Sequence, residues 1–289
     1  MEIVTRALPP DHEIILFGDT HEGSILKHKK GVRELVNYIK EKKNCFAVHM
    51  GDLVESIAID DLRYDRLTTD PGSPVSLNQY MKAAEELAPI KDKLLVIMQG
   101  NHDWKTISKH GDFVKDLVCR DLGVPYGTYE CWLEVQKTKH KLTARGKDAY
   151  KIFLAHGAGT LSSNAKDPIQ RRGNQEAALK QRLYPEAGDC VIMAMGHTHK
   201  LMVVRPTQEL YMHTAGGKVK QSYRTTAKST TEIDKDHRWY LNTGSFLRKY
   251  GPRGVSGYAE RFMLRPAELG YVKVMVEDYE VQDCVEVRV

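Results

Sequence analysis

The stretch Leu94-Leu95-Val96-Ile97-Met98-Gln99-Gly100-Asn101-His102-Asp103 decides the fold. Five uncharged apolar residues, a strand's length, run almost directly into a polar cluster. Beyond it, residues 108–122 carry Phe113, Leu117 and Val118 at helical spacing, with Gly123 at their end. A buried strand, a polar turn and a helix make one unit of an α/β fold. The strand-and-cluster pattern recurs four more times. Residues 14–17 lead into Gly18-Asp19-Thr20-His21, and 46–50 into Gly51-Asp52. Residues 152–155 lead into His156-Gly157, and 191–195 into Gly196-His197-Thr198-His199.

Between these units lie amphipathic segments. Residues 30–44 place Val32, Leu35, Val36 and Ile39 on one helical face. Residues 77–88 predict a second helix ended by Pro89, and 174–183 another, capped by Asn174 and stopped before Pro185. The last third changes period: 238–244, 271–278 and 280–289 alternate apolar and polar residues, which predicts a second, largely antiparallel sheet. Segments 56–76 and 213–238 follow neither period and are expected as surface insertions in one domain spanning 1–289. The first holds Asp60, Asp61, Asp65 and Asp70; the second is rich in Lys, Arg, Ser and Thr.

With 289 residues, 41% of them hydrophobic, the chain can bury a sizeable core. No apolar run approaches the length of a membrane span. Residues 1–12 are polar, with two prolines, and lack the layout of a signal peptide. Cys45, Cys119, Cys131, Cys190 and Cys284 form no C-x-x-C pair, so reduced thiols in a cytoplasmic protein are expected. The net charge of +5 permits an anionic partner without requiring one.

The five clusters offer more coordinating groups than one ion can use: His21, His156, His197, His199, Asp19, Asp52 and the Asn101 amide. Two divalent ions about 3.5–4 Å apart can clamp the attacking and leaving oxygens of an in-line displacement. Such a pair needs a carboxylate that gives one oxygen to each ion, and imidazoles suit first-row metals. A glycine beside each ligand is expected to let the backbone turn sharply. Taken singly, each cluster has a blander explanation. Asp after a strand is often a turn residue, Asn101 could simply start a helix, and His156 could be a packed core histidine. Five such clusters in order, each behind an apolar run, call for a common cause.

Asp19-x-His21, Gly51-Asp52, Gly100-Asn101-His102-Asp103, His156 and Gly196-His197-x-His199 resemble, in order, the signature of the calcineurin-like metallophosphoesterases. The resemblance covers Asp19 to His199. It implies an α/β fold, a four-layer α-β-β-α sandwich of two mixed sheets with outer helices. It implies that Asp19, His21 and His199 hold one divalent ion and that Asn101, His156 and His197 hold the other. Asp52 would bridge them together with a hydroxide that attacks the phosphate ester. Manganese is the first expectation for the metal, with Fe, Zn, Co or Ni as alternatives. His102 would stay off the metals and act as the catalytic histidine. Its carboxylate partner is left open between Glu55, three residues after the bridge as in the family's protein phosphatases, and Asp103.

Those phosphatases continue Gly-Asp-x-Val-Asp-Arg-Gly, whereas this chain has Gly51-Asp52-Leu53-Val54-Glu55-Ser56-Ile57. Ser56 in place of the phosphate-binding arginine points away from phosphoproteins and towards phosphodiesters. One alternative is an Mre/SbcD-like DNA nuclease, with nucleic acid or a nucleotide as partner, although SbcD-type enzymes usually carry longer C-terminal extensions. Another is a non-catalytic binding module on the same fold. Arg171, Arg172, Lys180 and Arg182, with Lys218, Lys220, Arg224, Lys228 and Tyr223, fit either a phosphate-tracking groove or solvated faces. Asn242-Thr243-Gly244-Ser245-Phe246 is a further candidate to line the site, and His110, His140, His213 and His237 are expected at the surface or as supports.

Overall fold

Alternation within each strand sends its side chains to two faces, and this chain has apolar residues on both. The computed structural model describes all residues except 58–63, 74, 139–147, 224–231 and 253. In chain order the strands are β1 (Glu2–Leu8), β2 (His12–Phe17), β3 (Cys45–His49), β4 (Leu94–Ile97), β5 (Glu130–Lys137), β6 (Asp148–Ala155) and β7 (Ile192–Met195). They continue as β8 (Met202–Val204), β9 (Leu210–Ala215), β10 (Lys218–Tyr223), β11 (Trp239–Asn242), β12 (Gly270–Glu277) and β13 (Glu280–Arg288). The helices are α1 (Lys29–Glu41), α2 (Ser76–Leu87), α3 (Asn101–His110), α4 (Arg120–Leu122), α5 (Pro168–Leu183) and α6 (Tyr258–Arg261).

Two mixed sheets result, in the orders β1-β5-β6-β7-β11-β8 and β13-β12-β2-β3-β4. Ile14 and Leu16 of β2 join Val48, Leu133, Ile152, Leu154, Ile192 and Val272 in the core between the sheets. Ile15 and Phe17 point the other way, against Val32, Leu35 and Ile39 of α1 and Tyr80 and Leu87 of α2. On the far side Phe153, Met193 and Tyr240 pack on Leu179 and Leu183 of α5. The layers are therefore helix, sheet, sheet, helix, as expected. Each large apolar side chain buried this way stabilises the fold by roughly 1.5–3 kcal/mol.

The expected separate antiparallel sheet does not form. β11 pairs in parallel with β7, while β12 pairs antiparallel with β2 and with β13. Period-two alternation identifies a strand but not its neighbour. The polar N-terminus is an edge strand, β1, paired in parallel with β5 and burying Val4 and Leu8. The expected helix at 108–122 is split: α3 starts at Asn101 and stops at Gly111, φ 108°, and a π turn at Val114–Cys119 runs into α4, which Gly123 ends at φ 67°. α5 starts at Pro168, earlier than expected, because Asp167 rather than Asn174 caps it, accepting from the Gln170 N–H at 2.7 Å.

Of segment 56–76, Thr68 and Asp70 pair by backbone with Ile25 and Gly23, beside the first cluster. Segment 213–238 contains most of a hairpin, β9–β10, which turns at Gly216 and Gly217, both at positive φ (60° and 70°). Arg224, Lys228, His140, Asp60 and Asp61 lie outside the described residues. Among the described residues no helix is long and apolar enough to cross a membrane.

Candidate metal centre

The ends of β2, β3, β4, β6 and β7 bring the five clusters together, with the ligand residues in unusual backbone geometry. Asp19, His21, Asp52, His197 and His199 all have positive φ, between 47° and 66°. Left-handed backbone at a non-glycine residue costs of order 1 kcal/mol or more, and such strain concentrates at functional sites. The expectation that the adjoining glycines make these turns is thus only part of the answer. Gly100 sits at φ −112°, and what it supplies is room: a Cβ there would stand 2.1 Å from Asp52 Oδ1 and 2.2 Å from the Asp52 backbone nitrogen. Gly100→Ala is therefore expected to displace Asp52 and weaken metal affinity by about 10-fold or more. Metal titration of the folded variant checks this, and wild-type affinity would contradict it.

The structure brings the residues of both expected ligand sets close together. Asp19 Oδ1 lies 3.2 Å from His199 Nε2, and Asp19 Oδ2 accepts from the His197 backbone N–H at 3.1 Å. Asn101 Oδ1 is 3.0 Å from His156 Nε2 and 2.6 Å from His197 Nδ1. Asp52 Oδ2 faces both sides, 4.0 Å from His21 Nε2 and 3.5 Å from His156 Nε2, while its Oδ1 accepts from the His102 N–H at 2.8 Å. Donor atoms of Asp19, His21 and His199 lie within 4.8 Å of one another, and so do those of Asp52, His156 and His197. His21, Asp52 and His102 form a third such set, so His102 stands closer to the ligands than its expected role requires.

The donors suit cations. His21 Nε2 is buried without a hydrogen-bond partner, with Asp52 Oδ2 4.0 Å away, which is costly unless something else satisfies it. Burial would raise the Asp52 carboxyl, but His156 and His102 hold it well below the ordinary range. Burial likewise opposes ionisation of Asp19, yet His199 keeps its pKa low. His156 shows the converse: burial pulls it down, and Asp52 more than reverses that, to about 9. Ionised carboxylates and an imidazole that attracts a proton mark a centre short of positive charge, which divalent ions supply.

The expected carboxylate partner of His102 needs correction. His102 Nδ1 donates to the backbone carbonyl of Glu55 at 2.7 Å, so the main chain orients the ring. The Glu55 carboxylate lies 3.0 Å from His21 Nδ1; burial opposes its ionisation, but His21 brings its pKa down to about 2. Asp103 caps α3 instead, accepting from the Gly100 N–H at 2.8 Å and from the Tyr80 hydroxyl at 3.2 Å. Burial and the nearby Asp52 push its carboxyl up to about 7. Ser56 is buried, its hydroxyl facing Ser76 and Thr106, so this position points into the packing around α2 and α3.

Several supports escaped the sequence reading. Fully buried His49 accepts from the Gly51 N–H at Nδ1 (3.3 Å), so its Nε2–H donates to Thr20 Oγ1 (3.1 Å), which donates to the Leu53 carbonyl. This chain ties the Asp19 loop to the Asp52 loop. Lys27, 1% exposed, bridges Glu22 and Glu86 behind His21 at 2.7 and 2.5 Å. The 242–246 cluster lies behind the site: Ser245 Oγ and the Phe246 N–H donate to the Asp19 carbonyl, and Asn242 Nδ2 donates to Thr198 Oγ1. Arg171, Arg172, Lys180 and Arg182 are engaged with neighbouring carbonyls and carboxylates. Arg182 holds the Ala158 and Thr160 carbonyls of the loop after His156. His213 lies on the β9–β10 hairpin within 3.0 Å of Ser222 Oγ, and His237 is buried in the 3-10 turn before β11.

Burial lowers the His49 pKa from 6.5 to about 3. The unfolded chain therefore binds a proton that the folded chain does not, and stability falls as pH drops from 6.5 towards 3. The slope is about 1.4 kcal/mol per pH unit for one proton. His49→Gln should flatten this slope in urea titrations between pH 6.5 and 4; an unchanged slope would remove His49 from the acid transition.

A calcineurin-like phosphoesterase is the class that this fold and site define. The chain belongs to that family, whose model matches residues 12–224. No curated protein matches the chain. Among solved structures it is similar to the NAD nucleotidase of Haemophilus influenzae, with 12% identity, TM-score 0.39, and coverage of 96% of this chain and 49% of that one. The chain thus spans about half the nucleotidase's length. A metallophosphoesterase from Sphaerobacter thermophilus shows 13% identity and TM-score 0.37 over 96% and 88% of the two chains. The Pseudomonas putida nuclease MPE shows 11% identity and TM-score 0.31 over 95% and 87%.

Proposed function

We propose that the chain is a cytoplasmic phosphodiesterase, one domain over 1–289, working with two divalent ions of which manganese is the first choice. The observation that carries this is the position of Asp52: its Oδ2 faces His21 of one ligand set and His156 of the other. Asp19, His21 and His199 would hold one ion and Asn101, His156 and His197 the other, with Asp52 placed to serve both. When bound, such ions polarise phosphate oxygens and lower the pKa of water. His102, its Nδ1–H fixed on the Glu55 carbonyl, would as the imidazolium present Nε2–H to the departing oxygen and give it that proton, leaving a neutral ring. Asp103 holds the start of α3, and with it Asn101 and His102, in position.

Two further features support the reading. Ser56 turns into the packing where the family's phosphatases place an arginine for a phosphate monoester. All five cysteines are buried and unpaired, as in a reducing compartment. The test is hydrolysis of bis-p-nitrophenyl phosphate and p-nitrophenyl phosphate in Mn²⁺, Fe²⁺, Zn²⁺, Co²⁺ and Ni²⁺. The diester should be favoured in kcat/KM by about 10-fold or more, about 1.4 kcal/mol of transition-state preference. A monoester preference would reverse the assignment, and inactivity with every metal would favour a binding module.

A second reading, a DNA nuclease, draws on the β9–β10 hairpin. Its register puts Tyr211, His213, Lys218 and Lys220 on one face, an arrangement of rings and cations suited to nucleic acid. Degradation of linear DNA, with binding that weakens steeply as salt rises, would support it.

A further inference from the structure

Beside Asn101 lies a cavity of about 730 Å³, lined by Gln99, Asn101, Trp104, Thr128, Tyr129 and Glu130 together with Met1. Its size is that of a small-molecule site. Trp104 stands on α3 two residues after His102 and is 55% exposed. A tryptophan left uncovered beside a reaction centre offers a flat apolar face at low conformational cost. Tyr129 is fixed: its ring meets His156 edge to face at 5.5 Å, and its hydroxyl donates to the Gly157 carbonyl at 2.7 Å. The cavity wall therefore shares Asn101 with the metal centre and touches it again where Tyr129 packs on His156.

The chemistry of the wall selects the occupant. No Lys, Arg or His is among its lining residues, and Glu130 adds a carboxylate. These side chains offer a phosphate group no cationic partner. An aromatic ring would find a stacking surface, and ring amino groups would find an acceptor in Glu130.

We propose that this cavity binds the nucleobase of the substrate, so that the esters cleaved are those of nucleotides or nucleic-acid ends. The inference deepens the phosphodiesterase reading and rests on it for the reaction, but not for the binding. A nucleotide whose phosphate lies at the Asp52 ligands would place its base against Trp104. Stacking of one base on an aromatic side chain is worth roughly 5- to 150-fold in affinity.

The test is calorimetric titration of the Mn²⁺-loaded chain with phosphonate analogues that cannot be hydrolysed: those of deoxyadenosine 5′-monophosphate and deoxyribose 5-phosphate, and phenylphosphonate. The nucleoside analogue should bind about 10-fold or more tightly than the deoxyribose analogue, within the range for one stacked base. Trp104→Ala should remove the difference and Trp104→Phe should keep it. Trp104 is exposed, so neither change threatens the fold. Equal binding of the two analogues to the wild type overturns the inference, and so does a preference that survives Trp104→Ala. A Trp104-dependent preference for phenylphosphonate alone also overturns it, by assigning the cavity to an aryl leaving group. Failure of the chain to hydrolyse any diester would defeat the phosphodiesterase reading and leave this measurement standing.

Discussion

Asp52→Asn is expected to abolish hydrolysis of bis-p-nitrophenyl phosphate, with a loss of about 100-fold or more. Asp52 is 2% exposed, and both carboxylate oxygens are committed: Oδ2 between His21 and His156, Oδ1 on the His102 backbone N–H. An amide preserves the shape but offers one neutral oxygen, and it removes the charge that raises His156 to about 9. The variant should therefore lose metal as well as turnover, while Asn retains enough of the packing for the chain to fold. Steady-state kinetics and metal analysis of the same preparation check both. Full activity in Asp52→Asn would remove this residue from the centre of the mechanism.

The second large effect is expected at His102. His102→Ala should lower kcat by roughly 10²–10⁴-fold, the range for loss of a general acid. Metal content should stay as in the wild type, because the two ligand sets are complete without this ring. His102 nevertheless stands with His21 and Asp52 in a third group of close donors. Loss of metal in His102→Ala would make it a ligand and leave the leaving group without its acid.

The strand ends were legible in the sequence for a physical reason. Strands buried on both faces must be apolar along their whole length, so the polar residues that interrupt them mark the ends. Asp19, His21, Asp52, Asn101, His156, His197 and His199 could be found that way, because each follows such a run. What decides sheet membership was not legible. β11 and β12 show the same alternation, yet one pairs with β7 and the other with β2. The supports were hidden for a related reason, since they join residues far apart in the chain. Lys27 meets Glu86, and Ser245 meets Asp19 across 226 positions. His102 is oriented by a backbone carbonyl, a group that every residue carries and no motif reveals. The positive φ of the ligands belongs to the same class, because turn rules assign such conformations to glycine first.

The most direct test of the shared-carboxylate centre is the metal content of the purified chain after Mn²⁺ loading, by mass spectrometry, with electron paramagnetic resonance on the same sample. Two ions per chain with a spin-coupled signal are expected, and the coupling should vanish in Asp52→Asn. One ion per chain, or two that show no coupling in the wild type, would contradict a centre built around Asp52.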